Sequence, residues 1–258
     1  MLVTARASRL LLCVILPAAL VGSILVLPAA AAHAKVRAAV SGQLLTVSGG
    51  KGADRIRVVC QQGFVVVNGK NPRTGAIACA RISEVDALAG DGNDRVDLSG
   101  VGANQGFGQR DLPGGFGHGT GCGAALGSGD DRYAGGASCF NLILAGRGDD
   151  TVRGGGLRDQ VTGGSGNDSM TTLAGRDILV GNSGNDKLSA GADDDLLSGN
   201  TGDDVLIGGA GTDLLGGGPG MDRLFGGPGP DELIGGPGKD RLNGGAGNNT
   251  LIQDSPKK

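Results

Sequence analysis

Residues 217–243 read GGPGMDRLFGGPGPDELIGGPGKDRLN, three nine-residue copies of one pattern. In each copy glycine stands first, second and fourth, aspartate sixth and leucine eighth. The frame runs back to Ala145 and on to Ile252 as twelve nonapeptides without insertion. Its sixth positions are Asp150, Asp159, Asp168, Asp177, Asp186, Asp195, Asp204, Asp213, Asp222, Asp231 and Asp240, then Asn249. Its eighth positions are apolar throughout, from Val152, Val161 and Met170 to a run of leucines ending at Leu251. A short fixed period of this kind signals stacked repeats and not a thick globular core. Single copies recur upstream. GGKGADRIR (49–57), AGDGNDRVD (89–97) and LGSGDDRYA (126–134) place Asp54, Asp94 and Asp131 sixth. Runs rich in β-branched residues, RIRVVC and FVVVNG, lie between them. This part reads as an irregular start of the same architecture.

The residue types fit the spacing. A tight turn needs unusual backbone angles, which glycine adopts at little steric cost. Pro219, Pro228 and Pro237 fix φ at third positions. After the aspartate, alternation points the eighth side chain inward and the seventh and ninth outward. Short carboxylates beside backbone carbonyls, with no His or Cys nearby, form a hard oxygen donor set that suits calcium. Magnesium favours smaller octahedral sites that keep water. Bare carboxylates on turns about 4.8 Å apart repel by about 0.9 kcal/mol even in water. Folding of the repeats is therefore expected to depend on metal binding.

The pattern resembles the RTX, or haemolysin-type, calcium-binding nonapeptide GGxGxDxUx, where U is a large apolar residue. The resemblance implies an all-β fold, a right-handed parallel β-roll in which six residues form a turn and three a short strand. Two nonapeptides then make one coil, and the turns stack in two columns with an ion between successive turns. It implies multiple structural Ca2+ ions, about ten at most over residues 145–252, on the eleven repeat aspartates, with Asp54, Asp94 and Asp131 as further ligands. Leu157 and Asp193 replace fourth-position glycines, and TLAGRDILV (172–180) lacks both leading glycines. Weaker or missing ions are expected beside Asp159, Asp177 and Asp195. Asn249 lacks the carboxylate and stands where a cap belongs. One column of outward seventh positions, Gln160, Ile178, Leu196, Leu214 and Glu232, holds an apolar stripe. The other holds Ser169, Lys187, Val205, Arg223 and Arg241.

The rest of the chain bounds the function. Arg6 and Arg9 precede an apolar run from Leu10 to Ala32, and Ala32-His33-Ala34 forms an A-x-A site. Residues 1–34 read as a secretory signal peptide. The run is also long enough for an N-terminal anchor, but Pro17, Gly22, Pro28 and the A-x-A site favour cleavage, leaving no membrane span in the mature chain. Removing Arg6 and Arg9 takes the formal charge from −3 to −5. No basic stripe with interleaved aromatics is visible, so nucleic acid is not an expected partner. Cys60, Cys79, Cys122 and Cys139 remain, an even number that in an exported chain reads as two disulfides. Of three connectivities, Cys60–Cys79 and Cys122–Cys139 are preferred because each closes a local loop. GHGTG (117–121) resembles a protease His-Gly-Thr element but has no triad partners, and His-Glu-x-x-His is absent. The organisation expected is a signal peptide (1–34), a β-rich region with isolated repeats and the disulfides (35–144), the calcium-binding roll (145–252) and a tail (253–258). The function expected is a secreted, extracellular, non-enzymatic bacterial protein. It would serve as a scaffold or adhesion element with a cell-surface or matrix partner. The alternative is an RTX-type secreted enzyme or toxin fragment with an effector region in 35–144.

Overall fold

The computed structural model describes residues 36–68, 76–102, 110–111 and 118–254. Residues 1–34, expected to be a signal peptide, and Gly117 of GHGTG lie outside them. Within them the nonapeptide period becomes an eighteen-residue coil. Val152 pairs in register with Met170, then Leu188, Leu206, Leu224 and Leu242. Val161 likewise pairs with Leu179, Leu197, Leu215, Leu233 and Leu251. Alternate repeats thus fall in alternate sheets, and every strand-to-strand step in this stack is parallel. One sheet has twelve strands and the other ten. We call them sheet one, which contains Gln160–Ser165 and Ile178–Ser183, and sheet two, which contains Thr151–Arg153 and Ser169–Thr171.

The parallel stack extends upstream of the uninterrupted repeats. In sheet two Ile56 pairs with Val96, Val96 with Tyr133 and Tyr133 with Val152. These coils are longer than eighteen residues because loops are inserted between strands. At the upstream edge each sheet ends in an antiparallel hairpin. Arg37–Ser41 pairs with Leu44–Ser48, and Arg55–Gln61 pairs with Phe64–Val67. The second hairpin turns through Gln62 (φ 52°) and Gly63 (φ 81°), the positive-φ pair of a tight two-residue loop. These hairpins cap the stack at that end. Cys60 is bonded to Cys79 and Cys122 to Cys139, the pairing preferred from the sequence. The first ties a hairpin to the short 3-10 turn Cys79–Arg81, and the second joins neighbouring strands of sheet one. Among the described residues no helix is long and apolar enough to cross a membrane.

The core is one side chain deep. The eighth-position residues from Met170 to Leu233 are fully buried, each contributing about 1.5–3 kcal/mol. Leu251, on the last strand of sheet one, is 50 % exposed. Tyr133 fills the upstream core, and its hydroxyl donates to buried Asn141 at 2.8 Å. The outward stripe Ile178–Leu196–Leu214 lies in register on sheet one and is half-buried.

Coils this close leave no room for a Cβ at the turns. A side chain on Gly184 (φ 123°) would run into the Gly166 carbonyl oxygen of the preceding coil. Where another residue takes such a position it is Asn182 (φ 82°), Asn200 (φ 74°) or Asp193 (φ 80°), the residue types that tolerate this region best. Leu157 and Leu173 replace glycines without adopting positive φ. Gly184→Ala is expected to destabilise the folded roll by about 1–3 kcal/mol, whereas Asn182→Gly should leave it unchanged or slightly more stable. Denaturant unfolding in saturating calcium measures both.

Candidate metal centre

The sixth-position side chains form two ladders along the edges of the roll. The first runs through Asp54, Asp94, Asp131, Asp150, Asp168, Asp186, Asp204, Asp222 and Asp240. At each step the backbone N–H donates to the Oδ1 of the next member, at 2.6–2.9 Å. The second runs through Asn141, Asp159, Asp177, Asp195, Asp213, Asp231 and Asn249, at 2.6–3.1 Å. The three isolated upstream aspartates thus join one column, which becomes longer than the six turns expected from the repeats alone. The other column begins with Asn141, which sequence reasoning passed over because its nonapeptide, GASCFNLIL (136–144), keeps only the first glycine and has no aspartate at the sixth position. Its Nδ2 also donates to Asp159 Oδ1 at 2.6 Å.

The fate of the second carboxylate oxygen separates the fourteen predicted ligands. Asp54 Oδ2 accepts from the Gly50 N–H, Asp159 Oδ2 from the Gly155 N–H and Asp240 Oδ2 from Gln253 Nε2, each at 2.7 Å. The other eleven Oδ2 atoms are buried and accept no hydrogen bond. Leaving a charged acceptor buried and unpartnered is costly, so eleven such atoms in register point to a cation. The surroundings match. The position a Cβ would take on Gly181 faces both Asp186 Oδ2 and, at 2.8 Å, the Gly199 carbonyl oxygen of the next coil. Gly163, Gly199, Gly217 and Gly226 repeat the arrangement. A first-position glycine therefore opens a cradle lined by a carboxylate oxygen and a carbonyl oxygen, the donor types calcium takes. Among the described residues no three acidic, His or Cys side chains converge.

Burial raises the ladder carboxylates above the ordinary aspartate range. Asp204 and Asp213 are pushed to about 6, Asp168 and Asp222 to about 7, and Asp177 to about 8. Desolvation is the largest cause, neighbouring carboxylates add to it, and the ladder N–H bonds oppose it. The metal-free fold therefore holds protons that the unfolded chain releases near pH 4. Its stability should fall as pH rises from about 4 to about 8, and calcium, which competes with those protons, should bind more tightly over the same interval. Circular dichroism of the chelated chain and calcium titrations across this range test both signs.

The two columns differ one position earlier. On the first, fifth-position residues Asn93, Asp130, Asp149, Asn167, Asn185 and Asp203 form an exposed second ladder. Each Oδ1 accepts the N–H of the fifth-position residue in the next coil, at 2.7–3.2 Å. This rail runs in the opposite direction to the buried one, and its sequence signal is an Asn or Asp recurring directly before the sixth aspartate. The second column has Arg158 and Arg176 at those positions, and Arg176 pairs with Asp194 at 2.6 Å. Asp159, Asp177 and Asp195, the sites expected to be weak, all fall on this second column. Asp186→Asn should lower the number of bound calcium ions or raise the calcium midpoint several-fold. Asp240→Asn, at an Oδ2 already engaged, should have a smaller effect; equilibrium dialysis and calorimetry distinguish them.

A comparison with curated proteins finds no match. A family model described as the RTX calcium-binding nonapeptide repeat, in four copies, matches residues 144–179, 153–188, 180–215 and 216–251. Residues 144–251 of this chain are RTX calcium-binding nonapeptide repeats, folded as a parallel β-roll.

Proposed function

We propose that the chain is a secreted, non-enzymatic extracellular protein whose roll folds around structural calcium and then serves as a rigid scaffold or adhesion element. The observation that carries the metal-dependent part is the register of eleven buried Oδ2 atoms without hydrogen-bond partners. When bound, calcium supplies the countercharge between successive carboxylates. The chain supplies the rest: Oδ1 atoms held by the ladder N–H groups, carbonyls aimed across the coil gap, and glycines that leave space between them. The first column carries the longer run of aspartates and the Asx rail, so it is the tighter one.

Two disulfides support an oxidising, extracellular setting. The region that would have to house an effector activity instead contributes Asp54, Asp94 and Asp131 to the common ladder. That supports a structural role over an enzyme or toxin. Far-UV circular dichroism during a calcium titration tests the reading, with magnesium as control. A coil-to-β transition driven by calcium and reversed by chelator is the expected result. A β signal insensitive to both ions and to chelator would overturn it.

A further inference from the structure

The outer face of sheet two carries a line of cations that the linear sequence disperses. Its seventh-position column pairs Arg55 with Arg95 and Arg95 with Arg132. It continues through Thr151 and Ser169 to Lys187, Val205, Arg223 and Arg241. Six of these nine rungs are basic and all six side chains are exposed. None of the six makes an ion pair or side-chain hydrogen bond among the described residues. The period alone places Lys187, Arg223 and Arg241 in one column; strand pairing over steps of 40, 37 and 19 residues adds Arg55, Arg95 and Arg132 to it. Sheet one has no counterpart, since its seventh column reads Gln160, Ile178, Leu196, Leu214, Glu232 and Thr250.

We propose that this row binds a linear acidic polysaccharide, laid along the roll axis with its carboxylates or sulfates against successive guanidinium groups. Neighbouring rungs are about 4.8 Å apart, on the order of the length of one sugar, so the acid groups of a linear chain can meet the adjacent cations Arg55, Arg95 and Arg132 at one end of the row, Lys187 in its middle, and Arg223 and Arg241 at the other end. The whole row spans about 40 Å by the same spacing. Arginine matches planar carboxylates with two parallel hydrogen bonds. The upstream end is recessed. Arg55, Ile56, Arg57, Arg95 and Asp97 line a shallow depression of about 200 Å³, in which Arg57 is already engaged by Asp97 at 3.4 Å.

The form of the face selects the partner. Single-stranded nucleic acid is held by aromatic platforms as well as charge, yet the adjoining outward column offers one aromatic, Phe225. A broad anionic surface such as a bilayer would meet the acidic edge as well as the row. Asp54, Asn93, Asp94 and Asp130 stand beside Arg55, Arg95 and Arg132 around a second depression. A thin chain can follow the cations and avoid that edge. The net charge of −3 gives no general attraction for polyanions, so alignment with the row must supply the affinity.

The test is fluorescence anisotropy with labelled oligogalacturonate and the full chain in calcium, with the methyl-esterified oligomer as uncharged control. Circular dichroism on the same samples reports folding, so loss of the roll is distinguished from loss of binding by a folded roll. The expected result is binding of the acid but not the ester, weakened by added salt. Arg55→Gln/Arg95→Gln/Arg132→Gln should weaken it by roughly tenfold or more. Arg37→Gln/Arg81→Gln/Arg147→Gln, with the same charge change at exposed sites off the row, should change it less than about twofold. The proposal is overturned if the folded chain ignores oligogalacturonate or if both triple variants lose affinity equally. It is also overturned if single-stranded DNA or phosphatidylserine vesicles bind more tightly than the oligosaccharide.

Discussion

The roll depends on one contact, the hydrogen bond from the backbone N–H of a sixth-position residue to the carboxylate of its counterpart one coil on. Each such bond sets the height of a coil, and with the parallel strand ladders it keeps alternate nonapeptides in register. It also divides the labour within each carboxylate. One oxygen is committed to the backbone, and in eleven residues the other is left buried and unpartnered. The same geometry that stacks the coils thereby creates the cation sites, and burial makes each bare charge costly.

That arrangement explains why so little apolar material suffices. One buried side chain per repeat cannot by itself order nine residues, eight of which contribute little to a core. Electrostatics between coils has to change sign from repulsive to attractive, and a divalent cation does this. The hairpins and the disulfides at the upstream end supply metal-independent cross-links where the spacing of the coils becomes irregular. Tyr133 and Asn141 act at the same junction. Their hydrogen bond crosses the core from sheet two to sheet one and starts the second ladder with a neutral amide.

Chemical contrast between faces follows from the two-sheet coil. Successive nonapeptides project their seventh residues to opposite sides, so arginine in one set and leucine in the other yields a basic face and a half-apolar one. The contrast extends to the edges, where an Asx rail marks one column and arginines interrupt the other. A repeat that looks uniform by its invariant positions is differentiated by its variable ones.

From the sequence alone came the period, the inward leucines, the aspartate ligand candidates and the disulfide pairs, because each is a local pattern: a glycine at a tight turn, a carboxylate at its end, an apolar residue two positions on. Only the tertiary structure decided that Asp54, Asp94 and Asp131 share one column, and that Asn141, one period before Asp150 but without a carboxylate, makes the first ladder bond of the other. It also decided that Asp54, Asp159 and Asp240 have both oxygens engaged, and that Arg55, Arg95 and Arg132 extend the column of Lys187, Arg223 and Arg241. Those outcomes depend on which residues stand one coil apart, and inserted loops make that distance 40, 37 or 19 residues upstream before it settles at 18. A period can be read where it is constant; where loop length varies, only strand pairing sets the register.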